Sequence, residues 1–265
     1  LIWHKMNLKI ISYLFLFLAI GFLYSCKSAK LSDAEEKQRI GEYFEAAAIY
    51  RKVYTKTPPA KRDLRGYIAF RMAECNRLIN NTPRATSAYM NALRYKYPDS
   101  IVNLRLGQMY QKSGRYGEAI KYYNDYLLAE PGSVLAFNGV TGSEEAVKWK
   151  QSPTRYTVKR MDKFNSRRSE FSPMLYGEKY DQLYFASTRT PKGAGKDKEE
   201  TNSAITGQRN NDFFLVKQDE NGAWQAPVEL EDEVNTEFDE GTPSFSKDGN
   251  TMYYTCLLYT SPSPR

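Results

Sequence analysis

Residues 114–123 read Gly-Arg-Tyr-Gly-Glu-Ala-Ile-Lys-Tyr-Tyr, and residues 41–50 read Gly-Glu-Tyr-Phe-Glu-Ala-Ala-Ala-Ile-Tyr. Both open on glycine, place tyrosine third and glutamate-alanine fifth and sixth, and end on tyrosine, 73 residues apart. Pro58 and Pro131 stand at the same offset, and Ala85-Thr86-Ser87-Ala88-Tyr89-Met90-Asn91-Ala92, followed by Pro98, marks a copy between them. The interval is thus two units of roughly 34 to 39 residues, which predicts stacked helical hairpins.

The last unit is the fullest. Leu106-Gly107 and Tyr110 fit the first helix of a tetratricopeptide repeat, and Ala119, Tyr123 and Pro131 fit its second helix and terminator. Residues 32–150 therefore resemble a tetratricopeptide solenoid of three repeats. Small residues stand where paired helices cross, tyrosines fill the gaps between units, and Pro131 ends a helix because it has no N–H to donate. Such stacks present a concave groove that usually holds a peptide or protein. The repeat register makes Gln108, Gln111 and Lys112 the candidate partner-binding residues, against the simpler reading of a solvated helix face. Asn138 to Lys150, with Trp149, is expected to cap the stack.

After Pro153 the periodicity changes to short β-rich runs between turn residues. Arg155–Val158, Pro173–Tyr176, Gln182–Ser187, Asp212–Lys217 and Ala223–Leu230 are the expected strands. The pattern then restarts: Glu240-Gly241-Thr242-Pro243-Ser244-Phe245 echoes Glu170-Phe171-Ser172-Pro173-Met174-Leu175, and Met252–Thr255 echoes Leu183–Ala186. The offset is about 70 residues with a one-residue slip. Four hairpin-linked strands per repeat describe a propeller blade, so residues 155–255 are expected to be an incomplete β-propeller. Asp248-Gly249 and Asn221-Gly222 supply the positive φ that tight hairpin turns need. The segment from Arg189 to Gln208 is expected to be a solvated loop. Its Gly195-Lys196-Asp197 lacks the Ser/Thr of a phosphate-binding loop, and Asp197, Asp212 and Asp219 do not have calcium-loop spacing.

The strings FSPMLYGEKYDQLYFASTR (171–189) and EGTPSFSKDGNTMYYT (240–255) resemble the PD40 (WD40-like, TolB-type) propeller repeat. At the other end, Met6 to Cys26 has a positive Lys9, an apolar run from Ile10 to Tyr24 too short to favour a membrane span, and Leu23-Tyr24-Ser25-Cys26, which resembles a lipobox. This predicts a signal peptide over 1–25, with 1–5 as upstream readthrough, and lipidation at Cys26. Two or more acyl chains anchor a protein stably. The order of lipoprotein signal, tetratricopeptide repeats and PD40 repeats resembles the OmpA-family envelope lipoproteins of Bacteroidetes-type bacteria, a family with a member in the Por (type IX) secretion system. The resemblance implies outer-membrane anchoring facing the periplasm, protein partners in the envelope, and peptidoglycan binding only through a C-terminal domain beyond this sequence. Cys256 to Arg265 can be encoded by a string resembling a sequencing-library adapter, so 256–265 is expected to be an adapter-derived tail.

Composition narrows the function. The chain of 265 residues carries 38 Lys and Arg against 31 Asp and Glu. Setting aside Lys5, Lys9 and Arg265 leaves a net charge of +4, a mixed surface and not a nucleic-acid footprint. The one histidine, His4, precedes the expected start. Residues 6–255 therefore lack Ser-His-Asp and Cys-His chemistry and the commonest zinc ligand. Apart from Cys26, residues 6–255 contain only Cys75, expected to be a buried small hydrophobe with no disulfide framework around it. The expectation is a non-enzymatic scaffold with no cofactor and no metal. Two alternatives stand beside it. One is the front of a propeller-containing peptidase, which requires a Gly-x-Ser-x-Gly elbow beyond 255. The other is a glycan-uptake lipoprotein, which the β-rich second half disfavours.

Overall fold

The computed structural model describes residues 29–190, 202–231 and 233–257. The signal segment with Cys26, positions 191–201 of the long loop and positions 258–265 of the tail lie outside them. Seven helices come first among the described residues: α1 (Leu31–Arg39), α2 (Tyr43–Lys56), α3 (Arg62–Leu78), α4 (Thr82–Arg94), α5 (Ile101–Lys112), α6 (Tyr116–Ala129) and α7 (Val134–Gln151). Antiparallel strands follow: β1 (Glu170–Tyr176), β2 (Gln182–Ser187), β3 (Asp212–Lys217), β4 (Val228–Glu229), β5 (Asp239–Phe245) and β6 (Met252–Leu257).

The helices pair as α1–α2, α3–α4 and α5–α6, with α7 closing the row. Second helices begin at residues 43, 82 and 116, which reproduces the two spacings read from the sequence. Ala46, Ala85 and Ala119 hold one register and are fully buried; four residues on, Tyr50, Tyr89 and Tyr123 are buried to 2% exposure or less. Each tyrosine hydroxyl donates back to the first helix of its unit: Tyr50 to Gln38 at 2.9 Å, Tyr123 to Gln111 at 2.7 Å, and Tyr89 to Glu74. A buried phenol finds a partner in this way because leaving it unmade costs about 1–3 kcal/mol. The turn within each unit needs a left-handed residue, supplied by Gly41 (φ 88°), Asn80 (φ 63°) and Gly114 (φ 73°). Helix starts follow local capping: Asn81 Oδ1 accepts from Arg84 N ahead of α4, and Ser133 Oγ from Ala136 N ahead of α7. The Ser133 cap explains why α7 starts four residues before the expected Asn138.

Beyond α7, β1 to β4 form one four-stranded antiparallel meander in sequence order, and β5–β6 a two-stranded sheet. The repeat is visible in the backbone. The β1–β2 pairing slips between Phe171 and Met174, and the β5–β6 pairing slips between Gly241 and Ser244. Ser172 (φ 51°) and Thr242 (φ 57°), each followed by proline, are the left-handed residues of these two bulges. The sheets meet through Phe245, whose ring stacks on Tyr176 at 4.3 Å and tilts against Tyr184 at 4.9 Å. Phe164, Phe185, Phe214 and Val216 form the sheet core, closed by Trp224. Beside β3, the buried Asn235 amide acts as a strand would: its Oδ1 accepts from Phe213 N at 2.7 Å and its Nδ2 donates to Phe213 O at 3.1 Å.

Three sequence expectations change here. The run Arg155–Val158 is not a strand: it has no ladder partner, and Val158 is 96% exposed. In Ala223–Leu230 only Val228–Glu229 pairs as a strand, with an isolated Gln218–Trp224 bridge before it, because Pro227 offers no ladder donor. The described end of the long loop is not simply solvated. Ser203 is buried, and the carbonyls of Ala204 and Ile205 accept from Glu45 N (3.4 Å) and Phe44 N (3.0 Å). Those N–H groups lie in the first turn of α2 and have no partner within the helix. The described strands make a meander and a hairpin, with no closed barrel or propeller among them.

Candidate partner-binding site

The first helices of the units form one side of the array, linked by polar side chains. Tyr67 on α3 donates to Glu35 on α1 at 2.8 Å. Arg105 on α5 stands with Nε 3.3 Å from Glu74 Oε1 on α3, and Gln111 Nε2 reaches Gly139 O on α7 at 3.4 Å. Glu74 is the hub: Arg77 pairs with it at 2.7 Å and the Tyr89 hydroxyl donates to it. Burial pushes the Glu74 pKa up, but the bonds from Arg77 and Tyr89 outweigh it and the net shift is downward. Tyr89 is pushed far up by burial and by the same carboxylate. Arg71, beside Tyr50, has a buried Nε without a hydrogen-bond partner. Arginines thus outnumber carboxylates along α3 and α5 on this side.

The three expected site residues stand on α5 in different roles. Gln108 accepts from Arg105 at 3.1 Å and is half-buried. Lys112 is exposed and donates to Asn80 Oδ1. Gln111 uses its carbonyl on Tyr123 and its amide on Gly139 O. The Glu74 hub was not legible beforehand, since its partners come from three helices. Cys75 is fully buried and burial pushes its thiol up to about 12, as a small inert hydrophobe requires.

On the opposite side a groove of about 770 Å³ runs between α2 and α4 over α3. Ala47, Ala48, Ser87 and Ala88 leave it open, Met72 and Asn76 line it from α3, and Arg51, Lys52 and Arg84 add positive charge. No cluster of three metal-ligating side chains and no helix long and apolar enough to cross a membrane is found among the described residues.

This geometry defines a tetratricopeptide-type helical repeat followed by antiparallel sheets. Residues 102–133, from α5 through α6 to the residue that caps α7, match the tetratricopeptide repeat family model. Among solved structures, the chain is similar to the crystal structure of MamA protein, at 19% identity over 46% of this chain and 67% of that one, with a TM-score of 0.39. It is also similar to the first TPR of Spaghetti (RPAP3) bound to the HSP90 peptide SRMEEVD, at 20% identity over 44% and 89%, TM-score 0.39. A third is the Sgt2 TPR domain from Aspergillus fumigatus, at 16% identity over 54% and 93%, TM-score 0.39. A comparison with curated proteins gives no match.

Proposed function

We propose that this chain is a non-enzymatic envelope scaffold that holds a protein partner on its helical array. The reading rests on the tetratricopeptide match over residues 102–133, since that repeat is a protein-interaction module. The partner segment is acidic and lies across α1, α3 and α5, where Arg71, Arg77, Arg105 and Lys112 gather, with Arg77 and Arg105 paired to Glu74. Gln108 and Lys112, one turn apart on α5, touch it directly, while Gln111 holds Tyr123 behind them. In this proposal the lipid at Cys26 anchors the array to the outer membrane, facing the periplasm. The sheets are one blade and a half of a PD40 propeller that offers a second docking face. The domain order supports a place in an OmpA-family lipoprotein of the PorE type, serving type IX secretion or cell-wall tethering.

The test is photo-crosslinking from the full chain in its own cells, with the probe at Gln108, at Lys112 and, for comparison, at the exposed Lys121 of α6. Protein adducts from 108 and 112 but not 121 are expected. Adducts from 121 alone, or from none, refute the site. Replacing Cys26 by alanine should move the protein from membrane to soluble fractions, and unchanged membrane retention refutes the anchor.

A further inference from the structure

The excess positive charge of this chain is gathered in one stretch. Residues 148–168, KWKQSPTRYTVKRMDKFNSRR, hold 8 of the 38 basic residues and 1 of the 31 acidic ones. That leaves 30 basic against 30 acidic residues in the rest of the chain, so the whole imbalance lies between the last turn of α7 and the start of β1. All eight basic residues are exposed. Lys148 pairs with Glu145 at 2.7 Å and Arg160 with Asp162 at 2.9 Å. Lys159, Lys163, Arg167 and Arg168 meet no carboxylate among the described residues.

Apolar side chains are interleaved with this charge and stand in solvent. Val158 is 96% exposed, Tyr156 71%, Trp149 66% and Met161 50%. From 153 to 161 the backbone is in no helix and joins no ladder. Val158 and Met161 line, with Phe164, Phe171, Leu183 and Phe185, an apolar groove of about 390 Å³ on the first sheet, beside the exposed Lys159 and Arg160. A merely solvated linker is built of glycine, serine, proline and charge, and has no use for a tryptophan, a tyrosine, a valine and a methionine held outward. An anionic bilayer meets both needs. Its phosphates attract basic side chains near the surface, its headgroup level is where tryptophan and tyrosine collect, and aliphatic side chains enter the boundary with the acyl region. A single-stranded nucleic acid would use the charge and the rings but leave Val158 and Met161 without a partner.

We propose that residues 148–168 are a contact surface for a bilayer of anionic phospholipid. The basic side chains lie on headgroup phosphates, and Tyr156, Val158 and Met161 enter the headgroup–acyl boundary, flanked by Trp149. The surface is independent of the scaffold reading and of an acyl chain at Cys26, since it rests on the charge and exposure of this segment alone. It would hold the junction between helices and sheets against the membrane while leaving Gln108 and Lys112 to a protein partner.

The experiment places a nitrobenzoxadiazole probe on Val158→Cys in the full chain with Cys26 and Cys256 changed to serine, Cys75 being buried. A second protein carries the probe on Lys121→Cys of α6, which is exposed on the helical array. The readout is local because the apolar run from Ile10 to Tyr24 would by itself carry the chain to vesicles of any charge. On vesicles of phosphatidylcholine with phosphatidylglycerol, the probe at 158 should brighten and shift to shorter wavelength, and the probe at 121 should not. Raising salt to about 1 M, where charges are screened within about 3 Å, should reverse the shift. Changing Lys159, Lys163, Arg167 and Arg168 together to glutamine should raise the lipid concentration needed for it about a hundredfold or more, at about fivefold for each charge removed. No shift at 158, an equal shift on phosphatidylcholine alone, or an unchanged response in the glutamine variant each overturns the surface. An equal shift with single-stranded DNA or inorganic phosphate in place of vesicles overturns it as well, in favour of a phosphate site that needs no bilayer.

Discussion

Replacing Gly107 by alanine sets two principles against each other, and the structure says which prevails. Gly107 lies inside α5, where alanine normally favours the helix by about 1 kcal/mol. Here an added Cβ would fall 2.6 Å from Cδ1 and 2.7 Å from Cε1 of Tyr123. The ring has little room to shift, because an added Cβ at Gly139 would likewise come within 2.6 Å of its Cε2. Tyr123 is wedged between two glycines on α5 and α7 and tied at its hydroxyl to Gln111. Overpacking of this kind costs about 1–3 kcal/mol. Less the helix-propensity gain, the net loss is up to about 2 kcal/mol, or a melting point lower by as much as several degrees for an array of this size. Thermal unfolding followed by helical circular dichroism measures it, with Gly117→Ala as the control. Gly117 is exposed on α6 and nothing lies within 4 Å of its added Cβ, so that variant should be neutral or slightly stabilising. A Gly107→Ala protein as stable as Gly117→Ala refutes the wedge.

The remaining predictions concern charge and reactivity. In a chain with Cys26 and Cys256 changed to serine, Cys75 should ignore a thiol reagent at pH 8 until denaturant is added, and rapid labelling of folded protein contradicts its burial. Arg189→Ala leaves the partly buried Glu170 without its cation and should cost about 1–3 kcal/mol at neutral pH, measured by urea unfolding followed at Trp224 with Trp149 replaced. Glu170 is held below its ordinary value of 4.5. Its stabilising contribution is therefore present above that pH and is lost as pH falls through the folded value. Glu240, held above 4.5, has the opposite sign. Protonation favours the folded hairpin, so amide protection over β5 and β6 should rise as pH drops from neutral toward 4.5, and Glu240→Gln should flatten that rise.

The helical half was legible because its determinants are local and periodic. Alanine and tyrosine four residues apart set the buried side of α2, α4 and α6, and Gly41 and Gly114 mark the turns. Asn80, which does the same work in the middle unit, was harder to see because asparagine tolerates left-handed backbone without announcing it. Strands β2 and β3 matched their aromatic runs to the residue. Arg155–Val158 has the right residue types, but a strand also needs a neighbour, which no local pattern supplies. The site was less legible still. Glu74 gathers Arg77, Tyr89 and Arg105 from three helices, and spacing along one helix does not predict such convergence. The bonds from Ser166 to Glu170 and from Thr236 to Glu240 do carry a local signal, a hydroxyl four residues before a glutamate in each hairpin.

The first turn of α2 is finished by the backbone of Ala204 and Ile205, with the Phe44 ring occupying the space a side chain at Gly207 would need. The obvious place to divide this molecule, after Gln151, is therefore the wrong one for anyone wishing to handle the halves separately. A helical piece cut there would lose a clasp near its own front end, more than a hundred residues upstream of the scissors.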